Sequence, residues 1–247
     1  MHHEWQAFWL AVGFLTRIPM LARIDYSQRL MNQSSLYFPL VGLMLGVSYL
    51  CVYGLLSLAF SPLVSIILVV IVHLFLTGAF HEDGLADSVD ALGGGYTVEK
   101  RLAIMKDSRI GTYGTVTLVM ALLLKVALLA EADYLWLALL AAPAVARLTP
   151  LLLMATLNYV TDPDKSKSKP VADGFSTARL LAAVGFVMVL TGTLSFWQPF
   201  LITGTLAAVL LVALCWGAYL KRQLGGYTGD ALGASVVLSE LVLLLFL

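Results

Sequence analysis

The sequence predicts an all-α fold, a polytopic integral membrane helical bundle with about seven spans and an N-terminal interfacial or re-entrant helix. Hydrophobic residues occupy 60% of the 247 positions and charged residues only 12%, whereas soluble domains have about 45–50% and about 25%. The mean hydropathy is +0.90, so the polar residues are too few to cover the surface of a soluble domain. Long apolar stretches recur, and the basic residues cluster in alternate connections.

The apolar stretches are the elements of the predicted bundle, since a membrane-spanning helix needs roughly 20 mainly apolar residues. Residues 5–18 form a shorter stretch that stops before Pro19 and carries aromatic residues near its start. We expect it to lie at the membrane surface or to re-enter it. The chain shows no internal repeat, and residues 1–247 are expected to form a single transmembrane domain. The predicted spans are residues 37–60, 62–80, 113–130, 134–157, 178–196, 199–220 and 231–247.

The distribution of basic residues tests this segmentation. Thirteen of the 15 Lys and Arg residues fall in connections on one side of the membrane, and none falls in the opposite connections. The positive-inside rule places the basic side in the cytoplasm. Acidic and basic residues number 15 each, which leaves no basic surplus for binding nucleic acid. Lys125 and Arg147 lie within predicted spans. The basic connections are residues 1–36, 81–112, 158–179 and 221–230.

Four carboxylates occur close together after the second span, at Glu82, Asp83, Asp87 and Asp90. If the helix of that span continues through them, the three aspartates stand at positions i, i+4 and i+7 and share one face. Carboxylates stacked in this way repel one another, and a hard divalent cation removes the repulsion. Mg²⁺ is commonly held by one or two carboxylates together with substrate phosphates. A solvated acidic helix end is the alternative, but unpaired carboxylates beside hydrocarbon are costly.

Basic residues follow the acidic stretch. Three glycines at 93–95 end the helix, and Lys106 and Arg109 then precede the third span. Cations beside Mg²⁺ are what a phosphate- or pyrophosphate-bearing substrate requires, because the metal alone does not neutralise its charge. Anchoring by the positive-inside rule explains these cations about equally well. Arg109, which we expect to be hemmed in by Gly111 and Gly114, is the strongest candidate.

Two further acidic residues, Asp230 and Glu240, lie near the end of the chain. Asp230 follows the polar segment 221–229 and is either an N-cap, for which Asp is preferred, or part of the site. Glu240 lies ten residues further on, inside the last span. An ionisable residue there marks a functional site or is paired internally, in this chain with Arg147 or Lys125. Arg147 lies between two prolines in a span whose broken backbone could line a cavity, and Lys125 alternatively snorkels to the surface.

His73, one span earlier, is a further polar residue in an apolar segment. We expect it to make an interhelical hydrogen bond rather than to bind a metal.

Taken together, five segments of the chain and Glu240 resemble the cobalamin (5′-phosphate) synthase family, also called adenosylcobinamide-GDP ribazoletransferase. The acidic stretch and the later Gly-Gly-Tyr-Thr-Gly-Asp stretch, in that order, are together specific to this family. The resemblance extends from the N-terminal segment to the last span. The segments are residues 14–19, 37–42, 82–90, 105–114 and 225–230.

The resemblance implies a Mg²⁺-dependent enzyme of the bacterial inner membrane, with its active site on the cytoplasmic face. Such an enzyme joins adenosylcobinamide-GDP to α-ribazole or its 5′-phosphate and releases GMP, which completes the nucleotide loop of cobalamin. The lipid bilayer surrounds it, and a homo-oligomer is compatible with the sequence.

The resemblance also implies a role for each candidate residue. Arg109 and Lys106 are catalytic candidates that contact the pyrophosphate, and Asp90 is the first candidate for the general base. Asp230 completes the metal shell or orients the second substrate. The candidate Mg²⁺ ligands are Glu82, Asp83, Asp87 and Asp90. The candidate substrate-binding residues are Arg109, Lys106, Thr228, Asp230, Arg147 and Glu240.

Two other functions remain open on the residues alone. Membrane phosphotransferases and prenyltransferases also use spaced carboxylates at a helix end to hold Mg²⁺ and a diphosphate. A cation-coupled transporter would place acids inside its spans, and Glu240 and Arg147 are the residues that favour it. The other acids gather at the cytoplasmic boundary with bases beside them, so the sequence favours an enzyme.

Overall fold

The computed structural model describes residues 2–20, 23–160 and 176–247, and helices form nearly all of its secondary structure. A 3₁₀ turn at Ser35–Tyr37 joins α2 to α3, and a π-helical segment at Ala207–Leu211 joins α11 to α12. The predicted all-α class is confirmed. The helices are α1 (His2–Leu15), α2 (Gln28–Ser34), α3 (Phe38–Leu56), α4 (Pro62–Thr77), α5 (Phe80–Gly94), α6 (Val98–Met105), α7 (Thr112–Glu131), α8 (Leu135–Ala146), α9 (Thr149–Thr156), α10 (Thr177–Leu194), α11 (Leu201–Leu206), α12 (Val212–Leu224) and α13 (Gly229–Leu244).

Five helical stretches of the described residues are long and apolar enough to cross a membrane, and a sixth results if α4 and α5 count as one span. The expected last span is α13, which is short for a span at 16 residues. It nevertheless extends between the two ends of the bundle. Its start packs against Gly84, and the carbonyl of Leu247 beyond its end accepts from the amide of Asp133 at 3.2 Å. The five stretches are Gln28–Leu56, Thr112–Glu131, Leu135–Thr156, Thr177–Leu194 and Leu201–Leu224.

Two closely packed helix pairs form the centre of the bundle. α3 packs along α8, and α5 packs along α13. Small residues permit the close approach. A Cβ added to Gly46 of α3 would lie 2.7 Å from the carbonyl oxygen of Leu140, and one added to Gly84 of α5 would lie 2.6 Å from that of Asp230. The second pair brings the acidic helix and the start of α13 into direct contact.

A sharp bend of 86° separates α4 from α5. Gly78 ends α4 in the left-handed conformation with φ 68°, and Ala79 follows with φ 55°. Glycine adopts this conformation without strain, whereas alanine does so at a cost. The amide of Arg17 donates to the carbonyl of Leu76 at 2.7 Å, which ties the chain after α1 to the bend. The expectation that the acidic stretch directly continues the second span is therefore wrong, because it forms a separate helix with a new direction.

Hydrogen bonds join the basic connections in pairs. Arg101 of α6 donates to the carbonyl of Gln223 at the end of α12. Arg179 at the start of α10 donates to Glu4 and to the carbonyl of Gln33. These contacts support the grouping of the basic connections on one side of the protein. Lys165, Lys167 and Lys169 lie outside the described residues.

An ion pair lies inside the bundle between α7 and α13. Lys125 Nζ donates to Glu240 Oε2 at 3.0 Å, and both side chains are less than a tenth exposed. Glu240 is therefore paired with Lys125 and not with Arg147. The alternative in which the Lys125 side chain extends to the surface is wrong, because that side chain is buried. The contact gives Glu240 a structural role, while its expected part in substrate binding stays a prediction.

We expect Glu240→Gln and Lys125→Met each to lower the free energy of unfolding by about 3–5 kcal/mol, because each leaves a buried charge without its partner. The double variant should recover most of that loss, since both charges are then gone. Denaturant unfolding in detergent micelles measures the effect. The matched control combines Glu240→Gln with Arg147→Met and is compared with Arg147→Met alone, so that only the coupling between the two positions is measured. Recovery in that control, and not in the first pair, would contradict the observed pairing.

Candidate active site

Helix α5 carries the acidic residues, and its neighbours determine which way each one points. Asp83 is exposed and Asp87 is half-buried, and the two stand one turn apart on the same side of the helix. Gly84 follows Asp83 and packs against the backbone of Asp230. Because Gly84 has no side chain, the start of α13 lies directly against the segment that carries Asp83 and Asp87.

Asp90 is buried and binds the first turn of α7. Its Oδ2 accepts from the amide of Gly111 at 2.6 Å, and its Oδ1 accepts from the amide of Gly114 at 2.8 Å. The first amides of a helix lack intrahelical acceptors, so a carboxylate there satisfies them and offsets the positive end of the helix dipole. A Cβ at either glycine would collide with this carboxylate. The two glycines therefore accommodate Asp90, and the expectation that they hem in Arg109 is wrong.

Glu82 points into the bundle toward α4. Its Oε1 lies 2.8 Å from Nε2 of His73, whose Nδ1 lies 2.7 Å from the hydroxyl of Tyr49. All three residues are buried. Both ring nitrogens of His73 therefore have a hydrogen-bond partner. The interhelical hydrogen bond expected of His73 is confirmed, and it holds α5 to α4 across the bend.

The basic loop between α6 and α7 is open to solvent. The Arg109 side chain is 86% exposed and pairs with Asp107, with Nη2 and Oδ2 2.6 Å apart. Hydrogen bonding to that carboxylate raises the pKa of Arg109 above its usual value. Lys106 ends α6 and is also exposed. Gly111, two residues after Arg109, is bound to Asp90, so this pair of cations is attached to the acidic helix.

Backbone contacts fix the polar loop between α12 and α13. The amide of Tyr227 donates to the carbonyl of Asn158 at 2.9 Å, and its carbonyl accepts from the amide of Val160 at 3.1 Å. Gly226 lies so close to the carbonyl of Asn158 that no side chain fits there. The glycine-rich stretch is thus required for the loop to approach the end of α9.

Thr228 is the N-cap of α13. Its Oγ1 accepts from the amide of Ala231 at 3.2 Å, and the residue is 2% exposed. The alternative in which Asp230 is the N-cap is therefore wrong. Thr228 has a structural contact where a contact to substrate was expected, and Asp230 stays a candidate for the site.

A cavity lies beside Asp230. Arg147, at the break between α8 and α9, lines it together with His81. Arg147 is 1% exposed, and its Nη1 donates to the carbonyl of Pro143 at 2.7 Å. Two of the expected substrate-binding residues, Arg147 and Asp230, therefore share one cavity. Its apolar walls include Phe14, Phe38, Phe80, Leu232 and Val236.

The carboxylates of α5 offer Mg²⁺ two ligands more readily than four. No three His, Cys, Asp or Glu side chains in the described part of the chain are grouped to hold a metal ion. Glu82 contacts His73 and Asp90 contacts α7, whereas Asp83 and Asp87 share the outer side of α5. Mg²⁺ is often held by one or two carboxylates together with substrate phosphates and water. Asp83 and Asp87 fit that arrangement, and the geometry favours them over Glu82 and Asp90.

Sequence reasoning did not identify Tyr49, His81 or the aromatic cavity wall as parts of this region. Tyr49 lies in the middle of an apolar span, where nothing in its neighbourhood marks it. His81 immediately precedes Glu82, and that adjacency was the available signal. The aromatic residues come from three separate segments that only the fold brings together.

We expect Asp90→Asn to lower the free energy of unfolding by about 1–3 kcal/mol, because an amide has one acceptor atom and leaves one amide of α7 unpaired. Gly114→Ala disturbs the same contact with the carboxylate retained, since the added Cβ displaces it. Thermal unfolding in detergent should show a loss in both variants. Gly54→Ala is the control, because its Cβ meets no atom within 4 Å. A Gly114→Ala protein as stable as this control would contradict the role of Asp90.

Comparison with known proteins connects this region to an enzyme family. The profile of the family described as Cobalamin-5-phosphate synthase matches residues 7–247. A relative from Vibrio cholerae serotype O1, described as Adenosylcobinamide-GDP ribazoletransferase, is 44% identical over 253 residues, which cover 100% of this chain and 95% of the relative. Relatives with the same description are 42% identical in Vibrio parahaemolyticus, covering 100% and 93%, and 44% identical in Shewanella woodyi, covering 97% and 94%.

No solved structure significantly matches the chain. The family match nevertheless begins within α1 and extends through α13, and it includes the acidic helix and the loop before α13. Similarity at 42–44% identity over nearly the full length of the relatives leads to the same family. The chain therefore belongs to the cobalamin-5-phosphate synthase family of transferases, and these relatives are described as adenosylcobinamide-GDP ribazoletransferases.

Proposed function

We propose that the protein joins adenosylcobinamide-GDP to α-ribazole 5′-phosphate or α-ribazole in a Mg²⁺-dependent reaction that releases GMP. The observation that carries this proposal is the contact of α5 with α13, which sets Asp230 against the segment of Asp83 and Asp87. The basic loop of Lys106 and Arg109 is attached to the same helix through Asp90. The names of the relatives supply adenosylcobinamide-GDP as the substrate.

The proposed reaction is a displacement at phosphorus. A ribose hydroxyl of the acceptor attacks the phosphorus that bears the cobinamide, and the bond to the GMP phosphate breaks with its electrons leaving on GMP. Mg²⁺, when held by Asp83 and Asp87, supplies positive charge to the pyrophosphate. Lys106 and Arg109 add positive charge from the solvent-exposed loop, which is accessible to a large substrate.

The attacking hydroxyl must lose its proton, and Asp230 suits this role better than Asp90. Both carboxylate oxygens of Asp90 accept amide hydrogens of α7, and the residue is buried. Asp230 lines the cavity at the start of α13, where Thr228 serves as the cap. We therefore assign Asp230 as the group that accepts the proton.

The proposed location is the bacterial inner membrane, with the site on the cytoplasmic side, because the basic connections lie at that end. In the sequence, Glu240 is one of two residues that favour a transporter, and its pairing with Lys125 gives it a structural role instead. The exposed position of Asp83 at the start of α5 also suits an enzyme that receives a soluble substrate.

Release of GMP tests the proposed function. Purified protein in detergent is incubated with adenosylcobinamide-GDP, α-ribazole 5′-phosphate and Mg²⁺, with and without a chelator, and GMP is followed by chromatography. We expect Asp83→Asn and Asp87→Asn to lower turnover by at least about 100-fold, because each removes a charge that holds the metal and its pyrophosphate. The chelator should have the same effect on the unchanged protein.

Glu99→Gln is the matched control, because Glu99 is an exposed carboxylate of α6. It should retain the turnover of the unchanged protein. Full activity of either aspartate variant at low Mg²⁺ would remove that residue from the metal site. Transfer of a prenyl group or another phosphoryl group, without GMP release, would instead favour the alternative enzyme class.

Accessibility of single cysteines tests the proposed topology. In a Cys51→Ser, Cys215→Ser background, Tyr96→Cys should react with a membrane-impermeant thiol reagent only in inside-out vesicles, and Asp133→Cys only in right-side-out vesicles. Tyr96 is 93% exposed, and Asp133 is also exposed. Labelling of Tyr96→Cys from outside the cell would reverse the assignment of the cytoplasmic side.

A further inference from the structure

Arg147 is a buried cation at a break in the backbone. The residue follows α8 and precedes α9, and it is 1% exposed. Pro143 lies inside α8, and its carbonyl accepts from Nη1 of Arg147 at 2.7 Å. This contact satisfies one of the three guanidinium nitrogens and fixes the orientation of the group.

The other two nitrogens of Arg147, Nε and Nη2, have no hydrogen-bond partner among the residues that the structure describes. Nε and Nη2 form one edge of the planar guanidinium, and their hydrogens point in parallel. That edge matches two oxygens of a single carboxylate or phosphate. The buried carboxylates of Glu82 and Glu240 bond instead to His73 and Lys125. The remaining donors of Arg147 therefore have the geometry of a bidentate oxyanion site.

The cavity that Arg147 lines has a second residue with an unpaired nitrogen. His81 is 2% exposed and also lines the cavity, and its Nδ1 has no partner in the described ranges. Three phenylalanines contribute apolar wall, and Asp230 lies at the start of α13. Two residues with unpaired buried donors, a wall suited to a flat apolar ring and one carboxylate thus line the same cavity. The phenylalanines are Phe14, Phe38 and Phe80.

We propose that the Nε and Nη2 edge of Arg147 is a subsite for a phosphate monoester, with His81 Nδ1 as an additional donor. This assignment rests on the proposed function, in which the phosphate is the 5′-phosphate of the ribazole acceptor. The aromatic base then lies against the phenylalanine wall, and the ribose hydroxyls lie toward Asp230. The phenylalanine wall, Asp230 and the Arg147 edge correspond to the base, the ribose and the phosphate of the acceptor, so the acceptor is the substrate assigned to this cavity.

Binding of inorganic phosphate tests the subsite without turnover. Purified protein in phosphate-free detergent is titrated with inorganic phosphate, and binding is followed by ³¹P NMR. Arg147→Lys keeps the charge but removes the two-pronged edge, and we expect its dissociation constant to rise by about tenfold. Arg101→Lys is the matched control, because Arg101 already donates to the carbonyls of Gly95 and Gln223. Equal phosphate binding by both variants would overturn the subsite.

Kinetics with the two acceptors test which phosphate the subsite holds. Arg147→Lys should raise the KM for α-ribazole 5′-phosphate by about tenfold and leave the KM for unphosphorylated α-ribazole unchanged. Equal changes for both acceptors would overturn the assignment. Competition experiments with the unchanged protein cover the case in which the variant fails to fold. Inorganic phosphate should then compete with α-ribazole 5′-phosphate and not with α-ribazole, and competition with both or neither would overturn it.

A lipid headgroup is the other source of a phosphate monoester in a membrane. If short-chain phosphatidate displaces bound inorganic phosphate and α-ribazole 5′-phosphate does not, the acceptor assignment is overturned. Absence of GMP release with either acceptor would count against the proposed function, while the phosphate titration would still decide the subsite. The two proposals can therefore fail separately.

Discussion

The site depends on the direction of α5, which three contacts fix. Glu82 bonds to His73 just after the 86° bend, Asp90 binds the first amides of α7, and Gly84 between them packs against α13. Buried charged groups are tolerated only when they are paired and hydrogen-bonded. Each buried carboxylate of α5 therefore also joins two helices, and rotation of α5 about its axis would break both bonds.

The four acids of α5 have different surroundings, and this difference shows which part of the site the spacing of residues can predict. The periodicity correctly places Asp83 and Asp87 on one side of a helix, because the helix angle per residue is fixed. It cannot give the rotation of that helix against its neighbours, since this depends on residues distant in sequence. Gly114 and His73 provide the partners of Asp90 and Glu82, and neither lies within α5.

The membrane spans likewise have some features that the local sequence predicts and others that depend on helix packing. Hydropathy identifies the apolar helices because burial in lipid is a property of the segment itself. It does not reveal the bend at Gly78, because the apolar stretch continues through it to residue 80. The sequence likewise does not distinguish Lys125 from Arg147 as the partner of Glu240, since both lie in spans and only helix packing decides which is near.

The pairing of Lys125 with Glu240 and of His73 with Glu82 has a consequence for Arg147. Because Glu82 and Glu240 already have hydrogen-bond partners, neither bonds to the guanidinium, which contacts one backbone carbonyl. Leaving donors of a buried cation unpaired costs free energy, and a ligand that supplies two oxygens would remove that cost. The same group that destabilises the bundle without ligand would thereby contribute to binding, because an unpaired buried donor favours a ligand that supplies the missing acceptor.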